Sequence, residues 1–228
     1  MSLEEASEYE LPFEYVKTNV LPERSSKPKQ DYANRWWQYS RPRIDMWKAL
    51  KGLSRYIATP RHAKHRIFVW LSHETLANDA TVVFARDDDY FFGVLHSKVH
   101  ELWALRMGTW LGAGNDPRYT PTTTFETFSF PFTPGQEPQA HPHVFAISEA
   151  ARVLAEKRER WLKPEGADAR ELKKRTLTNL YNARPQWLIN AHTALDRAVF
   201  TAYGWASDIT DEQVLVNLLE LNYRRTHL

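Results

Sequence analysis

A chain of 228 residues with 43% hydrophobic and 25% charged residues is long enough to form one large globular domain or two small ones. It contains no cysteine, which excludes disulfide bonds and thiolate metal sites. No apolar run approaches the ~20 residues of a membrane span, and the acidic start lacks the apolar core of a signal peptide, so a cytoplasmic protein is expected.

The first segment, residues 1–30, is predicted to be a tether. Its first sixteen residues carry five glutamates and no base, and the following "LPERSSKPKQDY" is rich in proline, serine and lysine without periodicity. Residues 17–66 then hold thirteen lysines and arginines against Glu23, Asp31 and Asp45, although the whole chain carries only +2. Such a basic block predicts either contact with a polyanion or an ordinary solvated face.

Residues 31–134 are predicted to form a mixed domain of strands and helices. A short helix around "IDMWKALKGL" ends at Gly52, and "RYIATPRHAKHRIFVWL" and "ATVVFA" are typical of extended chain. The acids of "RDDD" can cap a helix over 89–107, in which apolar residues recur at steps of three and four. A loop, "GTWLGAGNDPRYTPTTTF", and a short strand, "FETFSFPF", complete the domain.

The proline-rich "TPGQEPQAHPH" marks a predicted domain boundary, after which the pattern becomes helical. Helices are predicted over 144–161, 168–181 and 184–203, the last stopped by Gly204. Thr210 and Gln213 form a capping-box pattern that opens a final helix. Residues 135–228 are therefore predicted to be an α-helical C-terminal module, and the fold class is α+β.

Patterns for catalysis are weak. No glycine-rich dinucleotide or phosphate loop occurs, and there is no G-x-S-x-G nucleophile motif. His96 and His100 have a zinc-compatible i, i+4 spacing but lack a third ligand, so polar helix-face histidines are favoured. The three acids of "RDDDY" lack a nearby Glu-x-Lys and are better explained as a helix cap. In "NDPRY", Arg118 stands where an adenine-methylase loop has a second proline, so we reject that loop.

Nucleic-acid chemistry fits the basic block better, because arginine and lysine neutralise phosphates and aromatic rings can stack on bases. At least one of Trp36 and Trp37 is expected to lie in a core rather than to stack on a base. The residues predicted to contact the DNA backbone are Arg35, Arg41, Arg43, Arg55, Arg61, Lys64 and Arg66.

Three segments in order, "RYIATPRHAKHRIFVWL", "YFFGVLHSKVHELWALRMGT" and "RYTPTTTFETFSFPF", resemble the C-terminal third of single-chain type II restriction–modification enzymes. Those enzymes join a nuclease, an adenine-N6 methyltransferase that uses S-adenosylmethionine, and a target recognition domain. The segment "LYNARPQWLINAHTALDRAVFTAYGW" resembles the helical tail of such a domain. The resemblance covers about residues 35–226 and includes no catalytic motif, so it implies a fragment that alone neither methylates nor cuts DNA and binds no cofactor.

In that family the loop before the proline-containing strand carries base-reading side chains. The resemblance therefore implies that the loop holding Trp110, Asn115, Asp116 and Arg118 approaches the bases of double-stranded DNA. A carboxylate can accept a hydrogen bond from cytosine and an arginine can donate two to guanine, so Asp116 and Arg118 could read one C·G pair. An Asp–Arg ion pair in a tight turn is the alternative.

The resemblance also implies an upstream methyltransferase domain in the parent chain and a bacterial cytoplasmic location. Three other functions stay open at this point: the same part of a methylase without a nuclease, a protein–protein interaction module with an aromatic surface, and a hydrolase whose site the sequence does not reveal.

Overall fold

The computed structural model describes residues 1–26, 33–39, 43–111 and 116–226. These residues form two compact units, residues 1–51 and residues 52–228. The first ends where Gly52 adopts a positive φ of 91° after a short helix, as the sequence predicted for that glycine. This division differs from the predicted boundaries after residues 30 and 134.

The first unit is helical. It contains α1 (Leu3–Ser7), α2 (Glu10–Asn19), α3 (Leu21–Ser25) and α4 (Ile44–Leu50). Ser2 opens α1 with a reciprocal capping box, in which its side chain and that of Glu5 each bond the other residue's backbone N–H. Residues 3–25 of the predicted tether therefore contain helices, because capping and local helix formation do not need a long apolar period.

A small aromatic cluster lies in the same unit. Trp36 is half-buried and packs against Phe13, with ring centroids 5.3 Å apart, and its other neighbour is the half-buried Trp37. The Arg24 guanidinium donates to the backbone carbonyls of Trp36 and Gln38. The tryptophans thus help to hold this unit together, although both are half-buried and neither is among the fully buried core residues.

The second unit begins with a three-stranded antiparallel sheet. Its strands are β1 (Arg55–Pro60), β2 (Val69–Ser72) and β3 (Thr81–Phe84), in the order β2-β1-β3. Tyr56 pairs with Leu71 and Ile57 pairs with Phe84, so β1 is central. Four of its six residues are buried, which suits the apolar "YIA" run at its centre. The predicted strand at 80–85 is confirmed, and the long extended segment proves to be two strands.

Two consecutive helices follow, α5 (Asp89–His96) and α6 (Lys98–Met107). The side chain of Asp88 accepts a hydrogen bond from the backbone N–H of Phe91, which confirms the predicted acidic cap. The single helix predicted over 89–107 is wrong. Ser97 has an extended backbone with ψ 154°, so it ends α5, and its side chain caps α6. The spacing of apolar residues continues across this break, which is why the sequence did not reveal it.

The predicted loop after α6 is structured. Strands β4 (Thr109–Leu111) and β5 (Asp116–Arg118) form a two-stranded antiparallel sheet, and α7 (Pro121–Thr124) follows. The strand predicted within "FETFSFPF" is absent from the described residues. The carbonyls there bond to side chains instead of a neighbouring strand: Tyr203 donates to Ser129 at 2.6 Å and Arg225 donates to Phe130 at 2.8 Å.

The helical region contains α8 (Pro142–Leu162), α9 (Ala169–Lys174), α10 (Leu177–Ala183), α11 (Gln186–Tyr203) and α12 (Asp211–Thr226). The helix predicted over 168–181 is two helices, because Thr176 leaves the helical backbone to cap α10. Gly204 ends α11 with a φ of 73°, and Thr210 and Gln213 form the predicted reciprocal box. The α+β class is confirmed.

One core joins the sheet to these helices. Helix α5 is buried from Tyr90 to His96 and packs against α8, where a Cβ added at Gly93 would lie 2.8 Å from Ile147 and 2.9 Å from Ala151. Such close approach requires glycine. The core is unusually aromatic around the sheet and hairpin, and includes Phe68, Phe84, Phe91, Tyr119, Phe128 and Phe130.

Candidate nucleic-acid interface

The β4–β5 hairpin presents one exposed polar face. Thr109 pairs with Arg118 and Leu111 pairs with Asp116, and residues directly opposite each other or two apart on a strand share a face. All four of these residues are exposed. The hairpin therefore places the carboxylate of Asp116 and the guanidinium of Arg118 side by side, and neither forms an ion pair within the described part of the chain.

Trp110 lies on the opposite face of the hairpin. It pairs with Pro117, which is buried, whereas Trp110 itself is 52% exposed. The geometry thus separates Trp110 from Asp116 and Arg118, with which it was grouped as a base-reading residue. Asn115, the fourth member of that group, lies outside the described residues.

A buried arginine holds the hairpin from behind. Arg66 is 8% exposed, and its Nη2 donates to the carbonyl of Pro117 at 2.9 Å while its Nη1 donates to the Thr59 hydroxyl at 3.1 Å and to the Pro60 carbonyl. Burial lowers the pKa of Arg66 to about 10, so it stays charged at neutral pH. The assignment of Arg66 to the DNA backbone is therefore corrected: its donors point inward.

A tyrosine makes a second attachment immediately after β5. The Tyr119 hydroxyl lies 3.0 Å from Nε2 of His100 on α6, and the other ring nitrogen of His100 donates to the Leu95 carbonyl at 2.9 Å. Burial lowers the pKa of His100 to about 3 and raises that of Tyr119, so both groups are neutral and Tyr119 donates. Helix α6 thus supports the hairpin through the bond between Tyr119 and His100.

The hairpin also meets the end of β1. The backbone N–H of Tyr119 donates to the carbonyl of Arg61 at 2.7 Å, and His62 forms an isolated antiparallel bridge with Arg118. The half-buried Arg61 donates through Nε to the carbonyl of Asp79 at 2.6 Å. Arg61, His62 and Arg118 therefore line up on neighbouring stretches of chain, beside the exposed hairpin face.

The other predicted backbone contacts are dispersed. Arg55 is at the far end of β1, where its guanidinium bonds to Asp89 at 3.0 Å and stacks 3.8 Å over the Trp70 ring. Lys64 donates to Asn182 at 2.9 Å, toward α10. Arg55 and Lys64 therefore do not lie on one continuous basic surface, as the run of basic residues in the sequence had suggested. The exposed Arg35 and Arg43 belong to the first unit, and Arg41 lies outside the described residues.

Sequence reasoning missed the role of Thr109 and Leu111, which share the exposed face with Asp116 and Arg118. Strands of three residues carry too few alternations to be recognised, and the only local signal is that charged and uncharged residues alternate in "DPRY".

None of the helices in the described residues is both long and apolar enough to cross a membrane. The same residues contain no group of three or more histidine or acidic side chains that could hold a metal ion. His96 and His100 turn their rings toward separate protein partners, and they lie on different helices rather than on one face of a single helix.

The fold defines an α+β module in which a small sheet and an exposed hairpin are held on a helical core. This arrangement is similar to part of a solved structure, that of the type IIL restriction–modification enzyme MmeI in complex with DNA. The TM-score is 0.68 at 21% sequence identity, over 92% of this chain and 26% of that enzyme. The chain thus spans about a quarter of the enzyme's length. No protein-family model and no curated protein matches the sequence.

Proposed function

We propose that this chain recognises a specific sequence in double-stranded DNA, and that the exposed face of the β4–β5 hairpin approaches the base edges. The observation that carries this proposal is the pair Asp116 and Arg118, two residues apart on β5, both exposed and neither ion-paired in the described structure. A two-stranded ribbon can enter the major groove, where arginine donates to guanine and a carboxylate accepts from cytosine.

The rigid attachment of the hairpin supports the same function. Base readout requires side chains held in fixed positions, which a hairpin bonded through Arg66 and Tyr119 to the sheet and to α6 provides. Arg61 and His62 beside the hairpin would contact phosphates and set its register on the duplex. Trp110 and Asn115 remain predicted base contacts; Trp110 lies on the opposite face of the hairpin, and Asn115 lies outside the described residues.

The fold likeness to an enzyme solved with DNA adds support for the wider context. We propose that the chain is the target recognition part, residues 31–134 with the helical module 135–228, of a bacterial cytoplasmic adenine-specific DNA methyltransferase. An upstream domain of the parent chain would bind S-adenosylmethionine and perform methyl transfer, with or without a nuclease. The chain contributes recognition, since its sequence contains no catalytic motif.

Selection from a random duplex library tests the recognition. The wild-type chain is expected to enrich one sequence, with affinity that falls steeply as salt rises. Asp116→Asn and Arg118→Gln should each relax the preference at one or two positions, by about 1–3 kcal/mol for each lost pair. Arg106→Gln is the matched control, because Arg106 is exposed on α6 outside the hairpin.

Two results would decide against the proposal. Unchanged sequence preference in both hairpin variants would show that the hairpin does not read bases. Enrichment of no sequence by the wild type, together with salt-independent capture of a protein partner, would favour an interaction module instead.

A further inference from the structure

One apolar side chain lies on the polar face of the β4–β5 hairpin. Leu111 is 55% exposed and pairs with Asp116, so it shares that face with Thr109 and Arg118. A single exposed leucine is ordinary on a protein surface. The position of this one matters, because it lies on the face that the proposed function directs toward the base edges.

The spacing of the hairpin matches the spacing of stacked base pairs. A strand advances about 3.4 Å per residue, close to the rise of about 3.4 Å per base pair in duplex DNA. Residues directly opposite each other on a hairpin have Cβ atoms about 5 Å apart. Leu111 therefore reaches the base pair that Asp116 contacts or the pair next to it.

Thymine offers the apolar contact in the major groove. Its C5-methyl group is apolar, whereas the other groups that distinguish the bases there are hydrogen-bond donors or acceptors. A leucine pressed against those groups would displace water without replacing its hydrogen bonds, which is costly. A C·G pair read by Asp116 contains no thymine, so the methyl group that Leu111 meets must belong to a neighbouring pair.

Tight packing at the start of β4 holds Leu111 in place. A Cβ added at Gly108 would lie 2.6 Å from the carbonyl oxygen of Ala104 on α6 and 2.8 Å from that of Arg118 on β5. Such close approach to two backbones requires glycine. The strand that carries Leu111 is thus fixed against α6 and β5, as discrimination by a single methyl group requires.

We propose that Leu111 is a specificity-determining residue that reads the C5-methyl group of a thymine. This thymine belongs to the base pair next to the C·G pair that Asp116 contacts. The inference rests on the proposed function, because it needs the hairpin face in the major groove. It adds a T·A pair to the recognised sequence and assigns apolar readout to β4, beside the polar readout by β5.

Replacing thymine by 2′-deoxyuridine tests this contact, because the exchange removes the methyl group and keeps every hydrogen-bonding group of the base. Each thymine of the duplex selected by the wild-type chain is exchanged in turn, and affinity is measured by fluorescence anisotropy at one salt concentration. The pair read by Asp116 is the position at which Asp116→Asn relaxes the preference. When the neighbouring thymine is exchanged, the wild type should bind about fourfold more weakly, the effect of losing one buried methyl group.

Three variants test whether Leu111 makes the contact. Leu111→Ala should bind the thymine and deoxyuridine duplexes equally, because its shortened side chain no longer reaches the methyl group. Leu111→Met keeps a long apolar side chain and should retain the discrimination. Leu219→Ala is the matched control and should discriminate as the wild type does, since Leu219 lies on α12 and is also 55% exposed.

The inference is overturned if the selected sequence has no thymine beside the pair read by Asp116, if the exchange leaves wild-type affinity unchanged, or if Leu111→Ala still discriminates between the two bases. In each of these cases, a preference relaxed by Asp116→Asn or Arg118→Gln keeps base reading by the hairpin intact. A preference unchanged in both of those variants contradicts the proposed function instead, and this inference fails with it.

Discussion

Arg66 is the buried side chain that joins the β4–β5 hairpin to the end of β1. It belongs to a block of thirteen bases, most of whose described members are exposed or half-buried, yet it is directed into the protein to bond Thr59, Pro60 and Pro117. Charge alone does not distinguish a surface arginine from a buried one. The apolar residues that follow it, Ile67 and Phe68, were the only local sign that the chain is entering the core at this point.

Replacing this arginine should weaken the fold. Arg66→Met keeps most of the side-chain volume but leaves the Pro117 and Pro60 carbonyls without a donor. We expect the free energy of unfolding to fall by about 1–3 kcal/mol, measured by urea denaturation. Arg61→Met, at a half-buried neighbour, should change it by no more than about 0.5 kcal/mol. Equal effects of the two changes would mean that Arg66 is not a buried attachment.

Among the helices and strands, the sequence predicted those that are marked by a long repeat of apolar residues or by a capping residue. Helices α8 and α11, strand β3 and the Asp88 cap are found where they were expected. The break at Ser97 was hidden because the spacing of apolar residues by three and four continues across it, from Leu95 to Val99. The strand predicted within "FETFSFPF" failed because the helical module supplies side-chain donors from Tyr203 and Arg225, a tertiary contact that no local pattern encodes.

The crossing of α5 over α8 gives a prediction about these elements. Gly93→Ala would place a methyl group within 2.9 Å of both Ile147 and Ala151. Alanine is the better helix former by about 1 kcal/mol, but overpacking costs about 1–3 kcal/mol, so a net loss of stability is expected. Thermal unfolding measures it. Thr193→Ala, exposed on α11, should be neutral or stabilising, and stabilisation by Gly93→Ala would contradict the close crossing.

For the whole molecule, the sequence predicted the α+β class but not the grouping of elements. The proline-rich segment before α8 suggested a domain boundary, yet Gly93 on α5 meets Ile147 and Ala151 on α8 across it. Linker composition indicates exposure of a segment, and it does not reveal whether the flanking elements share a core. The candidate site was predicted in part: Asp116 and Arg118 share a face, whereas the predicted backbone contacts at Arg55, Lys64 and Arg66 bond to separate protein partners.

The buried histidines predict how stability depends on pH. Burial lowers the pKa of His100 to about 3 and that of His192 to about 4, and lowers the pKa of His96 as well. The ordinary pKa of histidine is about 6.5, so below that pH the histidines of the unfolded chain bind protons, whereas the buried rings of the native protein stay neutral. The contribution of these histidines to the free energy of unfolding is therefore fully present above pH 6.5 and is lost as the pH decreases toward 4.

Asp196 opposes this trend, because burial raises its pKa to about 6 and the native carboxyl takes up a proton first. Burial also raises the pKa of Glu101, which acts in the same direction as Asp196. With three histidines against these two carboxyls, we expect a net loss of about 2–5 kcal/mol between pH 7 and pH 4.5. Urea denaturation at the two values measures it. Equal or greater stability at pH 4.5 would mean that these rings are accessible to protons in the native protein.

Photo-crosslinking from the hairpin tests the central claim most directly, because it captures DNA even when binding by the isolated chain is weak. A photoreactive residue replaces Leu111, on the face of Asp116 and Arg118, or Val216, exposed on α12. If the hairpin approaches the base edges, position 111 forms cross-links to bases of the selected duplex that are lost at high salt, and position 216 forms none. Cross-links that are equal at both positions, or absent from position 111, would contradict recognition of DNA by the hairpin.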